Sequence, residues 1–446
     1  MKNSTITAIS TPIGVGGISI VRLSGKDALQ IALKLTNKKQ ENIVPRHLHL
    51  TKIKTTNFLE QGLMVYFKAP NSYTGENMVE FQCHGGIVIA NGILDELLKN
   101  GAQLAQDGEF TKRAFLNGKL TLEKAEGIID MINAESEAQV RAGYNLLSGE
   151  LYQKVKNMQN NLTNVIAEME VAIDYPEHDI EYETIEKFNN YLLSTKNQIE
   201  QLLKTVSTGK LVKNGITVAI LGKPNVGKSS LMNALLNYDR AIVTEIAGTT
   251  RDTLEENYNY KGVHINLIDT AGVRENVSDK VEKLGIERTY KTLNYADIIL
   301  VVLDGSEKLS IEDEKNLHIT KNKNQIIVQN KIDKNATPII SDNNLILVSA
   351  EKKQNIDLLK ETIYNKVIDS SIMESSVIIT NKRHAEALKQ ALINIEDALL
   401  SIANAMSLDL VALDVQNAWK TLGEITGESS TEEIIDAIFT KFCLGK

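Results

Sequence analysis

Cysteine is scarce in this chain: its 446 residues include only Cys83 and Cys443. That excludes a secreted scaffold stapled by disulfides and points to a reducing, cytoplasmic setting. Long apolar runs are missing too. No stretch reaches the length needed to span a bilayer, and residues 1–7 have neither the apolar core of a signal peptide nor the Arg-rich character of a transit peptide. Membrane attachment is therefore not expected. Positive charge is not in excess: the formal net charge is −8. A broadly basic nucleic-acid binder is excluded, although RNA held on a local basic face is not. There is no repeat at solenoid periods and no low-complexity tail. What remains is ordinary globular composition, 42% hydrophobic and 24% charged, at a length that suggests about two to four domains.

The chain falls into compositional zones. Up to residue 118, short β-like runs (Ile18–Val21, Gly62–Phe67, Met78–Gln82) alternate with helical stretches. From 119 to 213 the pattern is helical, with Leu122, Ala125, Ile128, Ile129 and Ile132 at three/four spacing and an interruption at Tyr175-Pro176. From 214 to 374 strands and helices alternate, as a parallel sheet requires. From 375 to 446 the pattern is helical again, and Ser430-Thr431-Glu432-Glu433 offers a capping box before Ile434 and Ile435. An α/β unit thus interrupts two helical segments, which are expected to pack together because each alone would expose an apolar stripe.

The α/β unit carries the chemistry. Gly222-Lys223-Pro224-Asn225-Val226-Gly227-Lys228-Ser229 fits G-x-x-x-x-G-K-S and lies between the apolar run 218–221 and a helical pattern opening at Ser230. Strand, glycine loop and helix form a phosphate cradle: backbone N–H groups and the helix's positive end face the phosphate oxygens. Lys228 is expected to reach the β/γ-phosphates and Ser229 to ligate Mg²⁺. Asp269-Thr270-Ala271-Gly272 closes a second strand, where an Asp can hold Mg²⁺ through water and a glycine N–H can meet the γ-phosphate. Asn330-Lys331-Ile332-Asp333 follows a third. Guanine offers two adjacent donors that the Asp333 carboxylate can accept, and adenine offers no such pair. Lys331 can lie over the base, Asn330 can tie this loop to the phosphate cradle, and Ser349-Ala350 after a fourth strand can give a backbone N–H to the base oxygen. Each motif ends a strand, at the edge where open parallel sheets bind ligands, so the set points to GTP.

Two positions are unusual. Val273 stands where a water-orienting Gln is often found, so another group must position water; Glu275, Asp279 and Glu282 lie downstream. Asn225 has two readings: its carboxamide can ligate a monovalent cation beside the phosphates, or it can stabilise the turn after Pro224. The sequence leaves both open.

Outside this unit, several segments combine into a pattern. They are the Gly14, Gly16, Gly17, Arg22, Ser24, Gly25 series, Asn71-Ser72-Tyr73-Thr74-Gly75-Glu76, Gln82-Cys83-His84-Gly85-Gly86, residues 113–120, Ala247-Gly248-Thr249-Thr250-Arg251-Asp252, and Phe442-Cys443-Leu444-Gly445-Lys446. The last is not a prenylation signal, since Gly445 and Lys446 do not fit one. Together these segments closely resemble the MnmE/TrmE family of tRNA modification GTPases over essentially the whole chain. Thr121 departs from the Asp expected after Lys119-Leu120.

The resemblance implies an α+β multidomain fold. It has an N-terminal α/β folate-binding-like and dimerisation domain (1–118), a discontinuous helical domain (119–213 and 375–446), and an inserted Ras-like α/β P-loop G domain (214–374). It implies a GTP site comprising Asn225, Val226, Gly227, Lys228, Ser229, Ser230, Thr244, Glu245, Ile246, Ala247, Gly248, Thr249, Thr250, Asp269, Thr270, Ala271, Gly272, Asn330, Lys331, Asp333, Ser349 and Ala350. Mg²⁺ would be held by Ser229 and Thr250, and K⁺ by Asn225, Thr244, Ile246 and Thr249. Glu282 would orient water and join Lys228 as a catalytic residue, with Arg251, Arg274 and Arg288 as competitors for charge stabilisation. A tetrahydrofolate derivative, 5-formyl or 5,10-methylene, would be bound by Arg22, Glu80, Lys119 and Lys446. The chain would be a cytoplasmic homodimer working with the FAD-containing MnmG/GidA, as a heterotetramer, on C5 of the wobble uridine of certain tRNAs. The competing readings are a ribosome-assembly or regulatory GTPase of the same hydrophobic-substituted class, and a folate-dependent scaffold with vestigial hydrolysis. Intact Lys228, Asp269 and Asp333 count against the second. For Cys443 the readings are a nucleophile or redox thiol, or a small buried residue.

Overall fold

The computed structural model describes residues 4–174, 182–236, 255–269, 291–368, 372 and 377–446. The chain forms two compact units, one of Met1–Ile129, Leu146–Ile185 and Asp397–Lys446, the other of Asp130–Asn145 and Glu186–Glu396. Among the described residues no helix is long and apolar enough to cross a membrane.

The first unit opens with β1 (Ile6–Ile9), β2 (Ile18–Ser24), α1 (Ala28–Lys34), β3 (His49–Lys54), β4 (Leu59–Phe67), β5 (Met78–His84), α2 (Ile87–Lys99), β6 (Gln103–Leu104) and α3 (Glu109–Leu116). The strands form a six-stranded sheet in the order β3-β4-β5-β2-β1-β6. Period-two alternation divides its faces. Val21 and Leu23 of β2 enter the core with Phe81, Ile31 and Ile93, whereas Arg22 falls on the opposite face. In α2 the buried residues Ala90, Ile93 and Leu97 recur at helical spacing, which is why that helix covers the core face.

Helices follow: α4 (Leu122–Ile132), α5 (Glu137–Ser148), α6 (Glu150–Asp174), α7 (Tyr182–Lys204) and α8 (Val206–Asn214). The buried residues of α6 (Leu151, Val155, Met158, Leu162, Val165, Met169) recur in a heptad rhythm. They meet a matching stripe, Val411, Val415, Ala418, Leu422 and Ile425, on a helix that is α13 (Leu408–Thr426) in chain order. Two such stripes bury each other as in a coiled coil. Polar bonds fix the register: Gln159 Nε2 donates to Trp419 O (3.1 Å) and Trp419 Nε1 to Thr163 Oγ1 (3.0 Å).

The second unit holds β7 (Ile216–Leu221), α9 (Lys228–Leu236), β8 (Glu255–Tyr260), β9 (Val263–Asp269), β10 (Ile298–Asp304), α10 (Ile311–Thr320), β11 (Gln325–Asn330), β12 (Leu345–Leu347) and α11 (Ile356–Val367). The sheet order is β12-β11-β10-β7-β9-β8, parallel except for β8 against β9. This is the Ras-like P-loop architecture. All seven β10 residues are buried, as expected of a parallel strand covered on both faces. The chain closes with α12 (Lys382–Ala403), α13 and α14 (Glu432–Phe439). Here one expectation is corrected. The α14 N-cap is Thr431, which accepts from Ile434 N, and no Glu reciprocates. Ser430 is unavailable because its hydroxyl donates to Glu424 O (3.0 Å). Below α14, Phe439 and Phe442 pack with Leu122 and Phe115 and so fix the start of the segment 443–446.

Candidate functional site

The phosphate loop, 222–229, runs from the end of β7 into α9. Gly227 has φ +95°, and a Cβ there would meet the Asn330 carboxamide, so two motifs close on each other only because this residue is glycine. Asn330 is buried and serves as the hub. Its Nδ2 donates to Val226 O (3.0 Å) and its Oδ1 accepts from Ala350 N (3.0 Å), joining three motifs in one contact set. The expected tie from Asn330 to the phosphate cradle is therefore present.

Lys228 is buried, and its Nζ donates to Gly222 O (2.7 Å) and Lys223 O (2.9 Å). Burial lowers its pKa, while Asp269 and Glu312 act the other way. Asp269 lies in register with Ile220, at the end of the neighbouring strand. Ser229 and Ser230 are exposed at the start of α9. Asn225 is exposed with φ +66°, and its main-chain carbonyl accepts from Lys331 Nζ (2.8 Å). Its carboxamide makes no hydrogen bond among the described residues. Asp333 is exposed and accepts from Ser349 Oγ (2.5 Å). That hydroxyl, against a smaller effect of burial, holds its carboxyl below the usual carboxylate range. At neutral pH it is a ready acceptor for paired donors.

One detail differs from expectation. The N–H groups of Ser349 and Ala350 are donated within the protein, to Gln354 O (3.2 Å) and Asn330 Oδ1 (3.0 Å). Donation to a base oxygen would have to be shared with these bonds. Thr244, Glu245, Ile246, Ala247, Gly248, Thr249, Thr250, Arg251, Thr270, Ala271, Gly272, Val273, Arg274, Glu275, Asp279, Glu282 and Arg288 lie outside the described residues.

A second constellation lies on the other face of the N-terminal sheet, beside the buried Phe110. Arg22 and Glu80 are register partners on β2 and β5, and Arg22 Nε donates to Glu80 Oε1 at 2.8 Å. The guanidinium lies over the rings of Tyr73 (5.9 Å) and Phe110 (5.7 Å). The segment 443–446 arrives on the same spot: Gly445 O accepts from Arg22 Nη1 (3.4 Å) and Ser10 Oγ (3.1 Å). Gly445 has φ +87°, and a Cβ there would strike Ile9 O. Lys446 is half-buried, and its pKa is lowered by burial and then by the nearby Arg22 cation, against Cys443. Glu80 pairs with one of these two cations.

Lys119 is less integrated. It is exposed, its stem passes Gly75, and its ammonium has no bonded partner among the described residues. The flanking segments are braced to each other. Arg113 pairs with Glu76 (3.1 Å) and Glu109 (2.8 Å), Ser24 Oγ donates to Glu76 (2.7 Å), and Asn117 Nδ2 donates to Thr74 O (2.7 Å). Cys443 is exposed because Phe442 and Gly445 take the buried places, which overturns its reading as a small buried residue. Cys83 is buried, which pushes its thiol up to about 11. Sequence reasoning missed Tyr73 and Phe110 as ring neighbours of Arg22, and it missed Asp304. The signal for Asp304 was available, since it closes an apolar strand just as Asp269 does.

Comparison with known proteins agrees with the resemblance. The family "GTP-binding protein TrmE N-terminus" matches residues 5–119 and "MnmE helical domain" matches residues 122–443. A tRNA modification GTPase MnmE of Lactobacillus gasseri is 46% identical, over 99% of this chain and 98% of its own. The proteins of that name from Desulforamulus reducens and Clostridioides difficile are 41% and 40% identical over 100% of this chain. Among solved structures, Aquifex aeolicus Era bound to GDP.AlF4- is 29% identical over 40% of this chain and 67% of its own, with a TM-score of 0.27.

Proposed function

The chain belongs to the MnmE family of tRNA modification GTPases and hydrolyses GTP, and from that premise we propose that it helps to modify C5 of the wobble uridine of certain tRNAs. It does so in the cytoplasm, as a homodimer joined through residues 1–118, with the FAD-containing MnmG/GidA in a heterotetramer. A tetrahydrofolate one-carbon unit, 5-formyl or 5,10-methylene, enters at the Arg22 site. The discontinuous helical domain (119–213 and 375–446) carries the G domain (214–374). The observation that carries this reading is the extent of the match. The relatives align from end to end, over the outer segments as well as the G domain, which a ribosome-assembly GTPase sharing only the G motifs would not explain.

The residues present suit the groups implied. Arg22 and Lys446 offer two adjacent cations to the carboxylates of a folate glutamyl tail, and Glu80 offers an acceptor to pterin donors once Arg22 turns to the ligand. Lys119, exposed and without a bonded partner among the described residues, would join them. Folate supplies the one-carbon unit, and the protein's part is to hold it. On the nucleotide side, Lys228 and the N–H groups of the loop hold the phosphates. Ser229 with Thr250 would hold Mg²⁺, and Asn225 with Thr244, Ile246 and Thr249 would hold K⁺. These ions neutralise phosphate charge when bound. Glu282 orients the water that Val273 cannot.

Two measurements test this reading. GTP hydrolysis is expected to be faster in K⁺ than in Na⁺ buffer, with Asn225→Ala losing most of that response while still binding GDP. Glu282→Ala is expected to slow hydrolysis on the order of a hundredfold with little change in affinity. Equal rates in the two salts would remove the cation role. Isothermal titration with 5-formyltetrahydrofolate should show binding that Arg22→Ala weakens at least about tenfold; equal affinities would remove folate from this face.

A further inference from the structure

We infer that Asp304 is a positioning residue for the guanine-nucleotide site, acting through Lys331 to lock the base-binding loop to the phosphate loop. The inference rests on the nucleotide reading above and names a residue outside its motifs. Asp304 ends β10 in register with Asn330 and is 6% exposed. A carboxylate this buried must be fully bonded to be tolerated. Its Oδ1 accepts from Ser306 N (2.9 Å) and Ser306 Oγ (2.6 Å), and its Oδ2 accepts from Lys331 Nζ (2.5 Å). The same ammonium donates to Asn225 O (2.8 Å). Lys331 thus spans from the end of β11 to the phosphate loop with its far end fixed at two points. Lys331 and the Asn225 it reaches both have left-handed backbone, each at φ +66°. Such conformations persist only where surrounding contacts over-determine them.

The Asp304 segment is itself seated on the base-binding loop. Gly305 N donates to Asn330 O (2.8 Å), and Asn335 Nδ2 donates to Gly305 O (3.0 Å). With its ammonium anchored, the apolar stem of Lys331 is a pre-ordered surface for a base. An unanchored lysine would have to be ordered at each binding event. Because the anchor also holds the Asn225 carbonyl, Asp304 links base binding to the cation position.

The test is a double-mutant cycle on affinity for a fluorescent GDP analogue in the full-length protein, with K⁺ response and base preference as further readouts. Asp304→Asn should weaken GDP about tenfold, as should Lys331→Ala. The double variant should be no weaker than Lys331→Ala alone, since removing one partner already breaks the link. Asp304→Asn should also raise the K⁺ concentration for half-maximal hydrolysis, yet keep the preference for guanine over xanthine, which Asp333 carries. Additive losses, an unchanged K⁺ response or a collapse of base preference would each overturn the positioning role and leave Asp304 as loop structure. Should Asp304→Asn not fold, Ser306→Ala removes the hydroxyl, one of the two donors to Oδ1, and leaves the backbone N–H; it should move affinity and K⁺ response in the same direction to a smaller extent, and no movement overturns the inference. If the unaltered protein fails to bind GDP at all, the nucleotide reading falls instead.

Discussion

Asp333→Asn is expected to turn a guanine site into a xanthine site. The carboxylate is exposed, oriented by Ser349 Oγ at 2.5 Å, and held in its ionised form below the usual carboxylate range. On the proposed reading it would accept from two adjacent donors on guanine. A carboxamide in its place keeps one acceptor and puts a donor against a donor. The loss for GTP should be about a hundredfold or more, since charge-assisted bonds are the strong ones and an unmet polar group costs more than a bond gained. Xanthine, with an oxygen where guanine has its exocyclic amine, should gain. Competition between GTP and XTP for a fluorescent nucleotide reads the switch directly. Retained preference for GTP in the variant, or equal hydrolysis of ATP and GTP by the unaltered protein, would contradict the assignment of base reading to Asp333.

Deleting residues 443–446 should separate the chain's two activities. The segment is docked: Gly445 O is bonded to both Arg22 and Ser10, its glycine fits under Ile9, and Phe439 and Phe442 pack the preceding turn against Leu122. None of the residues proposed for the nucleotide site lies in this segment, so GTP hydrolysis should stay within about twofold. The Arg22 site loses a cation, a backbone acceptor and the segment that helps to place the guanidinium. tRNA modification should fall on the order of a hundredfold, because misplaced reactants forfeit most of the benefit of orientation. Gly445→Val should reproduce the loss with the segment present, as its side chain would strike Ile9 O. Unimpaired modification by both variants would return the segment to a dispensable end.

How much of this was legible in the sequence follows from how each site is built. The phosphate loop, Asp269 and the loop 330–333 are each contiguous with a strand, and the parallel sheet brings their ends to one edge without further information. Even the bond from Asn330 to the phosphate loop could be anticipated, because it joins two such ends. Asp304 also closes an apolar strand, but its bond to Lys331 forms only when β10 and β11 are paired in register, which places Asp304 beside Asn330. The Arg22 site was further from reach. Its contacts join residues 423 positions apart and depend on heptad pairing of α6 with α13 and on docking of α14. No local pattern records that convergence, and only the resemblance pointed to it. The capping position at Thr431 was mis-set by one residue because the competing bond from Ser430 to Glu424 O is tertiary. Cys443 was mis-set for a similar reason: its neighbours Phe442 and Gly445, not its own chemistry, decide which side chain turns to solvent.

The most direct measurement is mass spectrometry of the wobble uridine after incubating unmodified tRNA with the purified chain, the proposed FAD-containing partner MnmG/GidA, GTP, K⁺ and a folate whose one-carbon unit carries ¹³C. The label should appear in the C5 substituent, and it should vanish when Arg22→Ala replaces the unaltered protein although GTP is still hydrolysed. A C5 substituent formed without label, or labelled equally by the Arg22→Ala protein, would contradict a one-carbon unit delivered at the Arg22 site.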